Sequence, residues 1–491
     1  MSFNAKFKGL SGFRPMLNLG CLQDIPTGHY VMGVKGESIL NGGMPHIEGI
    51  VGRGNTNKSI LAHSRIVTVV DRYGPPDLKT DSSHYATAHA YDTENSAGIV
   101  RYEGLSRLFH PRLAEMQEDA SGNYSNFFRE PRIFTFVDNT EYNGTEWFEL
   151  WKEAANDRIK EKGGMISTPM IDITTGEAIK IKPISITEVD SLSRFRAASV
   201  DKITDRAGVG ESERNVEALR DAMAKSQLLN ELPALTAKAG IYITMTGHVG
   251  DNMQMDPMAP PMKKLAFLKQ NLKIKHVPEP FTFLTNNLWF VMGVSTLINQ
   301  TTKAPEFPRD SDDNMKGDTD LLELDAMLLR CKSGPSGIPL PFIISQSEGL
   351  QVGLTEFNYI RKFDRYGLEG NVQNYQLSLV PDVNLSRTTI RRKINENAQI
   401  RRALEITSEM CQMANLWHHL PEGLLCSPRE LYEDLKKKGY DWNVLLATRG
   451  YWVPDQYNHP VPFLSTMDLL NMRAEKYVPY WMDKPNATSS K

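Results

Sequence analysis

Residues 52–59 read Gly-Arg-Gly-Asn-Thr-Asn-Lys-Ser, directly after the apolar run Ile47–Val51 and directly before Ile60-Leu61-Ala62. A strand that turns tightly into a helix at Lys-Ser has the layout of a phosphate-binding loop, G-x-x-x-x-G-K-[ST]. One position departs from it: Asn57 stands where the pattern has its second glycine. Asparagine visits left-handed backbone conformations more readily than most residues, so the turn stays feasible. Amides at a helix N-terminus point toward an anion, and the helix dipole favours its charge. Gly52, Arg53, Gly54, Asn55, Thr56, Asn57, Lys58 and Ser59 are therefore the candidate phosphate-holding residues. Lys58 would reach the β- and γ-phosphates, and the Ser59 hydroxyl a magnesium ion. The alternative is a polar turn that merely contains Lys-Ser.

The other strand–helix units extend this start into a parallel α/β sheet with covered faces. Strands are predicted over Ile47–Val51, Tyr85–Tyr91, Arg132–Val137, Ile184–Val189, Ile241–Thr246 and Leu288–Leu297. Helices are predicted over Lys58–Tyr73, ended by Gly74-Pro75-Pro76, and over Ile99–Phe109, Thr145–Lys162 and most of Ser212–Gly240. Trp147, Leu150, Trp151 and Ala154 recur at helical spacing and form the expected apolar stripe of the third helix. Met165–Lys182 holds Gly176 between two β-like runs and reads as a hairpin insertion, 165–182. The Gly-rich residues 1–45 read as an N-terminal arm, 46–383 as the main domain, and 384–491 as a mostly helical C-terminal domain. Within the last, Arg387–His419 reads as one long basic helix carrying Arg391, Arg392, Arg401 and Arg402.

With 491 residues the chain has room for two or three domains, and its net charge of −3 excludes a uniformly basic nucleic-acid coat but not a local basic track. Cys21, Cys331, Cys411 and Cys426 are scattered without metal-ligand spacing, which suits a reducing compartment. The first residues lack the apolar core of a signal peptide, and no run is long enough to span a bilayer, so a cytoplasmic protein without membrane contact is expected.

Nucleotide hydrolysis needs a metal-supporting acid, a group that orients water, and charge on the γ-phosphate. Ligands of open α/β sheets bind at the C-terminal ends of the strands, and candidates stand there. Asp190 ends Ile-Ser-Ile-Thr-Glu-Val-Asp and suits a metal-supporting carboxylate, or simply the start of a turn. Glu94 follows the Tyr85–Tyr91 strand, as a water-orienting carboxylate or a helix-capping acid. His248, in Thr-Met-Thr-Gly-His, could sense the γ-phosphate or be an ordinary loop histidine. The stretch Val249–Asn286 is long for a loop in a compact domain. It carries Lys263, Lys264, Lys269, Lys273 and Lys275, interleaved with Phe267, Phe281 and Phe283. Positive charge tracks a phosphate backbone and aromatic faces stack on bases, so 249–286 is a candidate nucleic-acid contact; a solvated charged face is the alternative. Residues 199–211, with Lys202 and Arg206 among glycines, are a second candidate.

The order of these motifs resembles the RecA-type recombinase core from about residue 46 to about residue 370, with phage UvsX-type recombinases the nearest likeness. Tyr91-Asp92-Thr93-Glu94 resembles the strand end bearing that family's catalytic glutamate, and Glu188-Val189-Asp190-Ser191-Leu192 its Walker-B strand. Val137–Thr140 with Gly144–Glu146 resembles the segment before the next helix, and Gly208–Lys225 the first DNA-binding loop with its helix. Thr246-Gly247-His248 resembles the γ-phosphate sensor ahead of the second loop, and Asn287–Phe290 the strand after it. Leu329–Pro335 resembles the late strand whose basic residues reach a neighbouring subunit's nucleotide.

The resemblance implies a RecA-like ATPase core using ATP and Mg2+, with Glu94, Lys58 and His248 catalytic and Ser59 and Asp190 on the metal. It also implies Arg330 and Lys332 acting in trans, and Tyr102 stacking on adenine. The partners implied are single-stranded DNA, duplex during strand exchange, and further copies of the chain in a filament. A ring-forming helicase or DNA motor on the same core is one rival expectation, and a nucleotide-bound structural or regulatory protein with little turnover is another. The Pro-rich second loop (Pro257, Pro260, Pro261), the hairpin at 165–182 and the C-terminal domain have no counterpart in that resemblance.

Overall fold

The computed structural model describes residues 13–195, 213–252, 265–269, 271–310, 313, 320–363 and 365–483. Its centre is a mixed ten-stranded sheet. The strands are β1 (Ile47–Gly52), β2 (Thr87–Asp92), β3 (Phe134–Asp138), β4 (Ser185–Asp190), β5 (Ile241–Asp251), β6 (Leu272–Lys275), β7 (Asn287–Thr296), β8 (Leu321–Cys331), β9 (Ile338–Ser345) and β10 (Gly349–Leu350). The order is β10-β9-β8-β7-β1-β5-β4-β2-β3, with β6 paired to the end of β5. The six strands from β7 to β3 run parallel, and β8, β9 and β10 extend one edge antiparallel. One strand, β5, separates β1 from β4, so the turn after β1 and the acid ending β4 flank the tip of β5.

Every residue of β1 is buried, as a strand covered on both faces requires. Helices α1 (Lys58–Tyr73) and α2 (Ile99–Ser106) lie on one face, where Ile66, Val67 and Tyr102 pack with Ala88, Ile186 and Tyr242. Helices α3 (Gly144–Lys160) and α4 (Glu213–Ala239) cover the other, where Trp147, Trp151, Leu228 and Leu232 pack with Val51, Tyr91 and Ile243. α1 starts and stops as the sequence predicts: Gly74 closes it, its amide donating to Val70 O at 2.9 Å. α3 opens with a capping box, Asn143 and Glu146 satisfying each other's backbone amides. Its buried stripe is Trp147, Phe148, Trp151 and Ala155 instead of the expected set; Leu150 is half exposed because the helix turns its aromatic side to the sheet.

Several expectations are corrected. Residues 13–45 are not a loose arm. Leu17, Leu19, Ile39 and Met44 join the core under α1, Ile25 and Leu40 join that of the C-terminal part, and Trp452 Nε1 donates to Met16 O at 2.9 Å. The expected boundary at 383/384 falls inside the strand Val380–Leu385, which closes a three-stranded sheet with Leu368–Asn371 and Asn374–Leu377. The long basic helix is two helices, α5 (Ile390–Glu396) and α6 (Ala398–Leu416), broken where Asn397 caps the second. Its arginines divide between surface and core: Arg392 is exposed and Arg401 half-buried. Arg391 is buried against Asp320 and Glu348, and Arg402 against Glu405. Residues 165–182 do form a hairpin, Ile166–Ile171 with Ala178–Ile181, tied by Val34 N to Pro169 O at 2.8 Å. Among the described residues no helix is long and apolar enough to cross a membrane.

Candidate nucleotide site

The turn between β1 and α1 places left-handed residues at Asn55 (φ 60°) and Asn57 (φ 55°). Asn57 thus takes the backbone conformation that a glycine would hold, and it is the residue immediately before the helix. Gly52 is needed for another reason: a Cβ there would meet Thr56 Oγ1 at 2.6 Å, and that hydroxyl holds the turn by donating to Arg53 O at 2.8 Å. Ile60 N donates to Asn57 O at 3.1 Å, which leaves the amides of Lys58 and Ser59 as the ones without an acceptor in the preceding turn. Lys58 is buried at this end and Ser59 half-buried. Arg53 pairs with Asp251 at 2.5 Å, tying the turn to the end of β5. Replacing Asn57 with glycine should leave nucleotide binding intact. A valine, which resists positive φ, should weaken it about tenfold or more in a calorimetric titration.

The tips of β2 and β4 are clamped together. Thr93 N donates to Asp190 O at 2.7 Å, and Thr93 Oγ1 exchanges hydrogen bonds with the Ser191 backbone. Asp92 accepts from the amides of Glu94, Ser96 and Ala97, which folds the turn carrying Glu94. The Glu94 carboxylate consequently sits beside Ser191 and His248: Ser191 Oγ donates to its Oε1 at 2.8 Å, and His248 Nε2 lies 2.7 Å from the same oxygen. The His248 contact, helped by Ser191 and the Lys58 charge against partial burial, holds the carboxyl down at about 2. Glu94 is therefore ionised throughout the neutral range.

Asp190 is buried, with Thr246 Oγ1 donating to its Oδ1. Its Oδ2 is buried and has no partner among the described residues. An orphaned carboxylate oxygen inside a protein is costly unless something charged meets it. A hard cation takes such oxygens as ligands, so the open oxygen of Asp190 fits a divalent cation such as magnesium. Deeper under α1, His63, Glu188 and Asp190 bring donor atoms within 4.8 Å of one another. His63 Nδ1 lies 2.6 Å from Glu188 Oε1, and Tyr102 OH donates to Glu188 Oε2 at 3.2 Å. Burial opposes charge on His63, but Glu188 outweighs it and raises the ring's pKa; burial raises that of Glu188. The pair therefore holds its shared proton tightly.

One expectation about a site residue changes. Tyr102 cannot stack on adenine as placed: it is buried among Phe128 and Phe134, with its hydroxyl on Glu188, because α2 turns its apolar side to the sheet. Arg330 and Lys332 are not near the chain's own turn. Arg330 is level with Leu288 of β7 and so with Gly49 of β1, toward the opposite end of the parallel strands from Lys58. Arg330 donates to Thr282 O at 2.9 Å and Lys332 to Leu284 O at 3.1 Å, both carbonyls of the short helix Pro280–Leu284.

Residues 249–286 are only partly loop, because Val249, Leu272 and partly buried Ile274 give the hairpin β5–β6 an apolar side against α4. Lys269 and Lys273 are exposed and Lys275 is half-buried, its stem lying across Gly250, where a Cβ would meet Lys275 Cε at 2.0 Å. Lys202, Arg206, Lys263 and Lys264 lie outside the described residues.

Sequence reasoning gave no separate role to Asp92, Thr93, Ser191 and Thr246, whose hydrogen bonds set the geometry around Glu94 and Asp190. Their signal was faint: Asp92 two residues before Glu94 is an Asx-turn pattern, and Ser191 is simply the next residue after Asp190.

No protein-family model matches this chain, and no curated protein does. Among solved structures, the crystal structure of the RadB recombinase aligns with 64% of this chain and 93% of that one, at 13% identity and a TM-score of 0.31. The site's own geometry therefore carries the functional reading.

Proposed function

We propose that this protein is a DNA-dependent ATPase of RecA recombinase type, forming filaments on single-stranded DNA and promoting strand exchange. The carrying observation is the convergence of Lys58, Glu94 with its Ser191 and His248 partners, and Asp190 with an open oxygen, at one end of the parallel strands. Backbone amides of Gly52–Ser59 and the Lys58 ammonium take the phosphates of ATP. Ser59 and Asp190 hold magnesium, which when bound neutralises phosphate charge. Glu94 orients the attacking water. His248, on one oxygen of Glu94, exchanges that contact for the γ-phosphate.

His248 also lies opposite Lys275 in the β5–β6 ladder, so a change at its ring reaches the strand that carries the candidate DNA-contacting lysines. Arg330 and Lys332, remote from the chain's own turn, suit action on a neighbour's nucleotide in a filament. The motif order set out above supports the recombinase reading over other nucleotide hydrolases.

The test is ATP hydrolysis with and without single-stranded DNA, beside a Lys58→Ala control, and electron microscopy of the assemblies. Stimulated turnover and open, ATP-dependent filaments are expected. Rates equal to the control under both conditions would leave a nucleotide-bound structural protein, and closed rings that unwind a forked duplex a helicase. Replacing Lys269 and Lys273 with alanine should also reduce the salt slope of single-strand binding by about 1 to 1.5, as two lost phosphate contacts require. An unchanged slope would move the DNA elsewhere.

A further inference from the structure

The inner stripe of α4 runs Lys225, Leu228, Leu229, Leu232, at the i, i+3, i+4, i+7 spacing of a packed helix face. The three leucines sit in the core with Val249, Leu272 and Phe281, so Lys225 occupies a core position and is 2% exposed. An unbranched apolar residue would pack there without the cost of desolvating an ammonium group. What lysine adds is a charged donor, and one of its contacts runs from Lys225 Nζ to His276 O at 3.2 Å.

That carbonyl belongs to the turn leaving β6. His276 sits at φ 57°, a conformation that a non-glycine residue keeps only where its surroundings determine it. The same turn is held from the nucleotide side. Ser193 Oγ donates to Lys275 O at 2.9 Å and accepts from His248 N at 2.9 Å, and the His248 ring meets Glu94. One hydrogen-bonded route therefore runs from Glu94 through His248, Ser193 and the Lys275–His276 turn to Lys225.

We propose that Lys225 is a positioning residue that locks the β6 turn to α4, so that the nucleotide state read at Glu94–His248 sets the placement of the DNA-contacting hairpin. The inference rests on the ATPase reading above. It differs from it in assigning the coupling to a buried lysine that meets neither ligand. α4 supplies the rigid reference, and the hairpin is the element that shifts. Without the lysine the hairpin keeps its apolar packing but loses its register to the site.

The test uses the full chain as wild type, Lys225→Met, Lys225→Arg and Ser193→Ala. Two quantities are read: hydrolysis with and without single-stranded DNA, and hydrogen exchange of the peptide covering 272–277 with and without a non-hydrolysable ATP analogue. Lys225→Met should melt cooperatively, keep basal hydrolysis within about twofold, and lose about tenfold in DNA stimulation, the size of an ordinary coupling. It should also lose the nucleotide-dependent protection at 272–277. Lys225→Arg, which retains a donor, should restore part of both, an outcome that packing alone would not produce.

Ser193→Ala cuts the same route from its other side and decides the matter if Lys225→Met does not fold. Stimulation and protection equal to wild type in the folded variants would overturn the proposal. If wild type shows nucleotide-dependent protection but no DNA stimulation, the DNA reading fails and the exchange data alone judge Lys225. If wild type shows neither, both fall.

Discussion

Replacing Glu94 with glutamine should slow ATP turnover by about 100- to 10,000-fold, the usual contribution of a positioned acid–base group, and leave ATP binding nearly unchanged. Glutamine matches the shape, and its carbonyl oxygen still accepts from Ser191. It removes only the charge that orients water. Because His248 holds the Glu94 carboxyl down at about 2, the group stays ionised until the pH falls through that value. The pH profile of kcat/KM for ATP, which reports the free enzyme's groups, should therefore show no acid limb at the ordinary glutamate position between pH 4 and 7, and any limb found there belongs to another group. Stopped turnover with intact binding of a fluorescent ATP analogue is the expected pair of results. Turnover within tenfold of wild type would remove Glu94 from the chemistry.

Glu94 also shows which parts of the site could be read beforehand. Lys58, Glu94, Asp190 and His248 each follow a recognisable strand or turn, and parallel strands bring such ends to one edge whatever their order. Their convergence follows from α/β alternation alone. The spacing between them does not, since it depends on β5 lying between β1 and β4, a non-local pairing with no local signal. Tyr102 was misjudged because an aromatic residue near a phosphate loop suits either a base or a core, and only the fold of α2 onto Glu188 decides. Arg391 and Arg402 give the sequence the look of a basic helix because their acids are remote or unremarkable in sequence; Asp320 is 71 residues from Arg391. The strand Val380–Leu385 was lost at an assumed domain boundary because its partners are short.

The contact between the N-terminal segment, α6 and the last helix should make the protein less stable as pH rises above 6.5. Three buried carboxyls there keep their protons past the ordinary range. Burial lifts Asp24 to about 6, Asp468 to about 7 and Glu409 to about 8, with Glu405 adding repulsion at Glu409. A group whose folded pKa exceeds its unfolded one gives stability that is complete below the unfolded value and lost as pH rises through the folded value. The decline therefore spans about pH 4 to 8 for these carboxyls, and His63, also raised, acts in the same sense.

Opposed to them are His46 and His89, which burial lowers to about 4 and whose stability is instead lost as pH falls from 6.5 toward 4. Glu94 and Asp71, both near 2, matter only in stronger acid. Between about pH 4.5 and 6.5 the three carboxyls outnumber the two histidines, so the decline is only partly offset there, and above 6.5 the opposition fades. Between pH 6.5 and 8, Glu409 alone accounts for a loss of about 2 kcal/mol, one proton over one and a half units. Thermal unfolding across that range should show the fall. Glu409→Gln, which keeps the Thr466 contact without a titrating group, should shrink it to the part that Asp468 contributes. A melting temperature that holds or climbs from pH 6.5 to 8 would mean these acids are already ionised, with Arg72 and Arg402 neutralising them more fully than burial allows.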